Sequence, residues 1–325
     1  MVPELSADNA IDWLRRHNLP TENVTFTELG GGVSNKVVLA EGRGFRAVLK
    51  QSLAQLRTEL EWRSDRARIF REAAALRFMH GKTTGARIPQ LLFEDQETFT
   101  IGMEAAPAGA EMWKTLLFRG EHDRSLAKSA GVMLGSIVAR SWHDAEAGQL
   151  FGDQTVFDQL RIDPSYRFTA RRRPDAAACI HRLIERSAAR RASLVHGDWS
   201  PKNLLVSNGQ LWAIDWEVIH YGDPSFDVGF LLNHLLLKSI AMPQHRSALS
   251  SLAQAFLEGL ASQLPAAADW IILGALEHVP ALLLARVEGK SPAEYFDAAM
   301  RLRASALATD LMSRPATSPE ELFAR

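Results

Sequence analysis

Apolar positions along the chain follow two different periods. In the N-terminal third they alternate with polar ones in short runs, the signature of half-buried strands. Val24 to Leu29, Lys36 to Ala40 and Phe45 to Gln51 predict three strands. Gly30-Gly31-Gly32 separates the first two and Glu41-Gly42-Arg43-Gly44 the next two, so a meander with glycines at both turns is expected. Two more strands, near Gln90 to Phe93 and Phe99 to Met103, flank the acidic turn Glu94-Asp95-Gln96-Glu97. Helical spacing appears twice in this region. Ser6 can cap a helix running to about Arg16, and Ile69, Ala73, Leu76 and Met79 share one face of a helix from about Asp65 to His80, stopped by Gly81.

The pattern changes at Glu104-Ala105-Ala106-Pro107-Ala108-Gly109, a small-residue linker that predicts a boundary between residues 1–104 and residues 105–325. Beyond it the spacing is helical, over roughly Arg124 to His143, Ala176 to Ala189, Phe226 to Lys238, His245 to Gln263, Ala266 to Glu288 and Pro292 to Leu311. One hairpin interrupts these helices: Leu204-Leu205-Val206 and Leu211-Trp212-Ala213-Ile214, joined by Ser207-Asn208-Gly209-Gln210. Arg314 to Arg325 are expected to fray.

Composition narrows the function classes. The 325 residues suffice for two lobes with their own cores. A net charge of −1 gives no support for nucleic-acid binding. The single cysteine, Cys179, excludes an internal disulfide, fits a reducing compartment and is expected to be a small buried apolar residue. The N-terminus lacks the basic-then-apolar pattern of a signal peptide, and no stretch approaches the ~18 consecutive apolar residues of a membrane span. A cytoplasmic protein without membrane or nucleic-acid partners is expected.

The chemistry concentrates in His196-Gly197-Asp198-Trp199-Ser200-Pro201-Lys202-Asn203 and Ala213-Ile214-Asp215-Trp216. Asp198 is placed to accept a proton from a substrate hydroxyl. Asn203 and Asp215 are hard oxygen ligands that can hold Mg²⁺ against nucleotide phosphates. The hairpin returns Asp215 to the loop that carries Asp198 and Asn203. Lys50, at the end of the third strand, can reach the α- and β-phosphates, with Glu72 as its anionic partner; Glu59 and Glu61 are nearer in sequence but precede the helical run. Gly31 and Gly32 would let the backbone approach phosphates, with Ser34 and Asn35 adding donors. Glu104, at the lobe boundary, completes the candidate nucleotide-binding set. His196 is read as a loop organiser, Asp227 as a buried acceptor for N–H groups of the His196–Asp198 loop, and Asp223 equally as a turn residue. Lys202 is read either as a γ-phosphate contact or as a solvated lysine. Two features could lie on the acceptor side: Arg171-Arg172-Arg173 with Arg161 and Arg167, more simply a solvated face, and the polar, aromatic segment Phe157 to Phe168.

On these residues the chain resembles the aminoglycoside phosphotransferase/choline kinase family of small-molecule kinases. The resemblance rests on His196-Gly197-Asp198 with Asn203, on Ile214-Asp215-Trp216-Glu217 and on Asp223-Pro224 with Asp227. It implies an α+β, bilobed protein-kinase-like fold, with a small antiparallel-sheet N-lobe and a larger helical C-lobe. It also implies ATP or GTP as donor, Mg²⁺, and transfer to a hydroxyl of a small molecule (a sugar, an amino alcohol or an aminoglycoside-like compound), with Asp198 as base. Gly31-Gly32-Val33-Ser34-Asn35, Lys50-Gln51 and Asp65-Arg66-Ala67-Arg68 are similar to methylthioribose kinases, but Trp199-Ser200-Pro201-Lys202 departs from them, so that substrate is not carried over. Trp216-Glu217 after Asp215 disfavours protein-kinase activity. The alternatives are a catalytically inactive nucleotide-binding or interaction module on the same fold, and a methylthioribose-type sugar kinase.

Overall fold

The computed structural model describes residues 3–30, 34–56 and 64–325. Among the described residues, its N-terminal part is one antiparallel sheet with two helices. The elements run α1 (Ala10–Arg16), β1 (Thr25–Glu28), β2 (Asn35–Gly42), β3 (Phe45–Ser52), α2 (Arg68–Met79), β4 (Ala86–Arg87), β5 (Leu91–Asp95) and β6 (Thr100–Glu104). The sheet order is β1-β2-β3-β6-β5, and β4 belongs elsewhere. Alternation along β3 sends Ala47 and Leu49 to one face, where they join Leu5, Trp13, Leu14 and Val38 in a small core under α1. Val48 and Lys50 take the other face, and Val48 packs on the main core that α2 also feeds. The same alternation that makes the strand therefore delivers Lys50 to α2.

The C-terminal part begins with β7 (Glu111–Met112) and α3 (Trp113–Phe118), then α4 (Arg124–Ser141), α5 (Ala145–Phe151) and α6 (Thr155–Phe157). A π-helical segment, Asp158–Arg167, leads into α7 (Phe168–Arg172) and α8 (Pro174–Ala189). The site elements follow: β8 (Ser193–Val195), β9 (Leu204–Ser207), β10 (Gln210–Ala213) and β11 (His220–Gly222). Helices α9 (Ser225–Ala241), α10 (Arg246–Ala261), α11 (Trp270–Glu288), α12 (Ala298–Ser313) and α13 (Pro319–Ala324) complete the lobe. β4 adds in parallel to β10, and β11 pairs with β8. Asn208 and Gly209 both take positive φ, 50° and 71°, as the tight turn between β9 and β10 requires.

Several expectations are corrected. Ser6 does not cap α1 with its side chain; the helix starts at Ala10, and Asn9 Oδ1 instead accepts the Ser6 N–H. The helix near Asp65 begins only at Arg68, and the last long helix begins at Ala298, where Asp297 caps it. Residues 314–325 do not simply fray: Ser318 caps α13, and Leu322 and Phe323 are buried. Cys179 is half-buried rather than fully inside. The stretch Ala266–Glu288 has a window of mean hydropathy 1.5, long and apolar enough to span a bilayer, but 67% of that window is buried within the protein, as in a core helix.

Candidate active site

β8 delivers the chain to His196 in the interior, and Gly197 then turns it with φ +79°. A Cβ there would lie 2.7 Å from Val218 Cγ1, so the turn needs glycine twice over. Asp227, in the first turn of α9, receives the N–H groups of His196 at 2.6 Å and Gly197 at 2.9 Å. Burial pushes its carboxyl up, to about 7, against the pull of those two donors. His196 Nδ1 accepts the Asp198 N–H at 3.2 Å, and its Nε2 donates to the Ile214 carbonyl at 3.1 Å. Burial holds this imidazole neutral, pushed down to about 4. One histidine thus bonds the loop to the hairpin strand that carries the second aspartate.

Asn203 closes the loop: its Nδ2 donates to the Asp198 carbonyl at 3.0 Å. Its amide oxygen takes no part in that bond. Asp198 is 2% exposed. Burial works against its charge, but Arg161 and Lys202, each 2.9 Å from Oδ2, hold it below the usual carboxylate range. It is therefore ionised at neutral pH. Arg161 also donates to the Gly197 carbonyl at 2.6 Å.

Asp215 sits just past β10 with φ +68°, a backbone state rare outside glycine and concentrated at functional sites. Lys50 Nζ lies 2.5 Å from Asp215 Oδ1 and 2.7 Å from Glu72 Oε2. Burial alone would lower the ammonium, but Asp215, Glu72 and Glu217 overcome it and raise it above its ordinary value. Asp215 is correspondingly held below the usual carboxylate range, while burial beside the other carboxylates pushes Glu72 up. Carboxylate oxygens of Glu72, Asp215 and Glu217 lie within 4.8 Å of one another. Lys50 and the Arg68 guanidinium, 3.3 Å from Glu217, leave this group one negative charge in excess. An acidic excess of hard oxygens, with the Asn203 amide oxygen nearby in the chain, fits Mg²⁺.

Other residues fall differently. Ser34 and Asn35 spend their donors on Glu217, each at 2.8 Å, rather than holding them free for phosphates. Gly31, Gly32 and Val33 lie outside the described residues, as do Glu59 and Glu61. Glu104 ends β6 and accepts the Gln90 N–H at 3.3 Å. Asp223 accepts from Ser225 N and Oγ, the turn role. The run Arg171, Arg172 and Arg173 is spread over Asp163, Glu288 and Asp175 on the surface and does not converge on the site. Sequence reasoning missed Glu217 and Arg68, and it did not link Arg161 to Asp198. Glu217 was visible as a carboxylate beside Asp215 in an otherwise apolar stretch. Arg161 is aimed by the π-helical segment, whose wide turns accommodate Pro164, a residue without the N–H of an α-ladder.

Comparison with known proteins agrees with this architecture. Residues 25–271 match the model of the phosphotransferase enzyme family. The chain belongs to that family and is a small-molecule kinase. The methylthioribose kinase of Yersinia enterocolitica is 28% identical over 278 residues, 73% of this chain and 67% of the relative. Among solved structures, amicoumacin kinase hAmiN with AMP-PNP, Ca²⁺ and Ami superposes with a TM-score of 0.57 at 15% identity, covering 96% of this chain and 95% of the other. The streptomycin–ATP–APH(2'')-IIa ternary complex gives 0.54 at 14% identity, covering 98% and 99%. Both share the bilobed protein-kinase-like fold.

Proposed function

We propose that the protein transfers the γ-phosphoryl group of ATP, or of GTP, to a hydroxyl of a small molecule, with Asp198 as the base. The observation that carries this reading is convergence. Lys50 from β3 bonds Glu72 from α2 and Asp215 past the hairpin, Asn203 bonds Asp198 within one loop, and the bonds of Ile214 to His196 and Asn203 hold the two groups side by side. A module that only bound partners would have no reason to keep all five. The donors found in the solved relatives, ATP and AMP-PNP, favour a nucleoside triphosphate.

In the reaction, the acceptor hydroxyl rests against the Asp198 carboxylate. Its oxygen attacks the γ-phosphorus while the bond to the β–γ bridging oxygen breaks; the hydroxyl proton passes to Asp198 and ADP leaves. Lys50 neutralises the α- and β-phosphates, and Glu72 keeps its ammonium in place. Asp215 and Asn203 would hold Mg²⁺, which supplies charge neutralisation at the phosphates when bound. His196 and Asp227 keep the loop shaped around Asp198. Gly31, Gly32 and Glu104 complete the proposed nucleotide side, and Ser34 and Asn35 serve it through the Glu217 carboxylate that they hold. Residues 1–104 act as the nucleotide lobe and 105–325 as the acceptor lobe, and a cytoplasmic setting suits an enzyme that draws on nucleoside triphosphate.

The test is Mg-ATP consumption by the purified protein against sugars, amino alcohols, hydroxy acids and aminoglycosides. Turnover with at least one acceptor is expected. Saturable ATP binding with no turnover across the panel would favour the inactive module. A methylthioribose-type sugar kinase is the second reading, favoured by the 28% identity to the Yersinia enzyme.

A further inference from the structure

Positive charge crowds round Asp198 and the neighbouring face of α9. Arg161 and Lys202 both contact Asp198 Oδ2. The Arg161 guanidinium lies 5.8 Å from the Phe230 ring on α9, and the His234 ring packs on that same phenylalanine, 5.0 Å away. One turn further, Lys238 Nζ is 3.3 Å from the His234 carbonyl and 5.5 Å from the Phe118 ring. Phe118 in turn packs edge-on against Tyr295, 5.0 Å away, and Lys114 lies 6.0 Å from the Tyr295 ring. The Lys114 N–H is bonded to the Pro201 carbonyl in the catalytic loop itself. Burial first, and then the charges of Lys238, Arg286, Lys202 and Lys114, hold His234 well below its ordinary value.

Few anions answer them. Besides Asp198, Glu294 pairs with Lys114 at 3.2 Å, but its side chain is 81% exposed. Lys238 is 1% exposed and has no carboxylate within ion-pair distance among the described residues. Arg286 gives its Nη1 to Ser291, and its Nε has no partner among the described residues. Both amide atoms of the buried Asn233, one residue from His234 on α9, and the Tyr295 hydroxyl are likewise unpartnered. A buried ammonium without a counter-ion is costly, and structural lysines of that kind are ordinarily paired. A ligand that supplies the missing negative charge resolves the arrangement.

We infer that the phosphate acceptor is an anion: a hydroxylated compound bearing a carboxylate or phosphate, bound through Arg161, Lys238 and Arg286 with its hydroxyl at Asp198. The inference rests on the kinase reading above and names the substrate class of that site. A polycationic aminoglycoside would meet repulsion from the same side chains, and a neutral sugar would leave them unanswered.

Matched acceptors test it: ribose against ribose 5-phosphate, glycerol against D-glycerate and glycerol 3-phosphate, and kanamycin as the cation. The expected result is a kcat/KM for an anionic member about tenfold or more above its neutral partner, as one charged hydrogen bond confers. Whether carboxylate or phosphate is preferred follows from which pair shows the larger ratio. Lys238→Met and Arg286→Gln, each checked for folding by circular dichroism, should move that ratio toward one by raising KM for the anion. Equal or better turnover of the neutral or cationic members overturns the inference and leaves the kinase reading standing. Binding is measured independently of turnover, by calorimetry of the Mg-ADP-loaded enzyme with ribose 5-phosphate and D-glycerate at fixed ionic strength. Saturable binding weakened about tenfold by Lys238→Met supports the inference; its absence for both probes overturns it. Nucleotide binding in the same instrument reports separately on the kinase reading.

Discussion

Replacing Lys238 by methionine should stabilise the protein in acid and lose that advantage in base. Lys238 is 1% exposed on α9, and burial with the charges of Lys114 and Arg286 lowers its ammonium from 10.5 to about 7. The sign follows from linkage. Below about 7 the lysine is charged in both states, and the folded state bears the whole penalty, on the order of 5 kcal/mol. As pH rises from 7 toward 10.5 the folded lysine is neutral while the unfolded one still binds a proton, so stability is regained. Methionine matches the side chain in length and carries no penalty. It forfeits one hydrogen bond to His234 and the packing of the ammonium over Phe118, about 2–3 kcal/mol together. The variant should therefore be more stable than the wild type by about 2–3 kcal/mol at pH 6, and most of this margin should be gone by pH 9. Urea unfolding followed by tryptophan fluorescence at the two pH values measures both. A variant destabilised equally at pH 6 and pH 9 would refute the reasoning, because it would mean that Lys238 is not held as an unpaired buried cation.

Three further outcomes follow from the structure. Gly131→Ala should cost about 3 kcal/mol or more in the same unfolding assay, because a Cβ there would lie 1.9 Å from the Phe256 carbonyl oxygen where α4 crosses α10, and backbone cannot yield as a side chain can. Lys50→Met should lower kcat/KM by about 10²–10³-fold in steady-state assays, since it removes the cation that faces Asp215 and Glu72; a loss under tenfold would remove Lys50 from the phosphate side. Excess chelator should abolish phosphate transfer and added Mg²⁺ restore it, and activity that persists in chelator would dismiss Asp215 and Asn203 as metal ligands.

The parts of the site legible in the sequence are those set by local geometry. The period-2 alternation of β3 already placed Lys50 opposite Ala47 and Leu49, and the spacing of Ile69, Ala73 and Leu76 placed Glu72 on the buried face of α2. The interval from Asp198 to Asn203 is spanned by a single loop, and Asn208-Gly209 announces the hairpin that returns Asp215. What local pattern cannot carry is a contact made across the fold. Glu217 meets Ser34, Asn35 and Arg68, residues from the other lobe, and nothing near position 217 declares that appointment. Arg161 reaches Asp198 through a π-helical segment containing Pro164, which reads in sequence as a helix breaker. The short C-terminal helix escaped notice because its two buried side chains, Leu322 and Phe323, show no period over so few residues.

The central claim is that Asp198 is the base of a phosphoryl transfer. Its most direct test is Asp198→Ala, assayed for acceptor-dependent ADP formation alongside the Kd for Mg-ATP. Transfer should fall by at least about 10²–10⁴-fold, the worth of a positioned general base, while the nucleotide Kd stays within about threefold of wild type. Transfer at the wild-type rate in that variant would contradict the account.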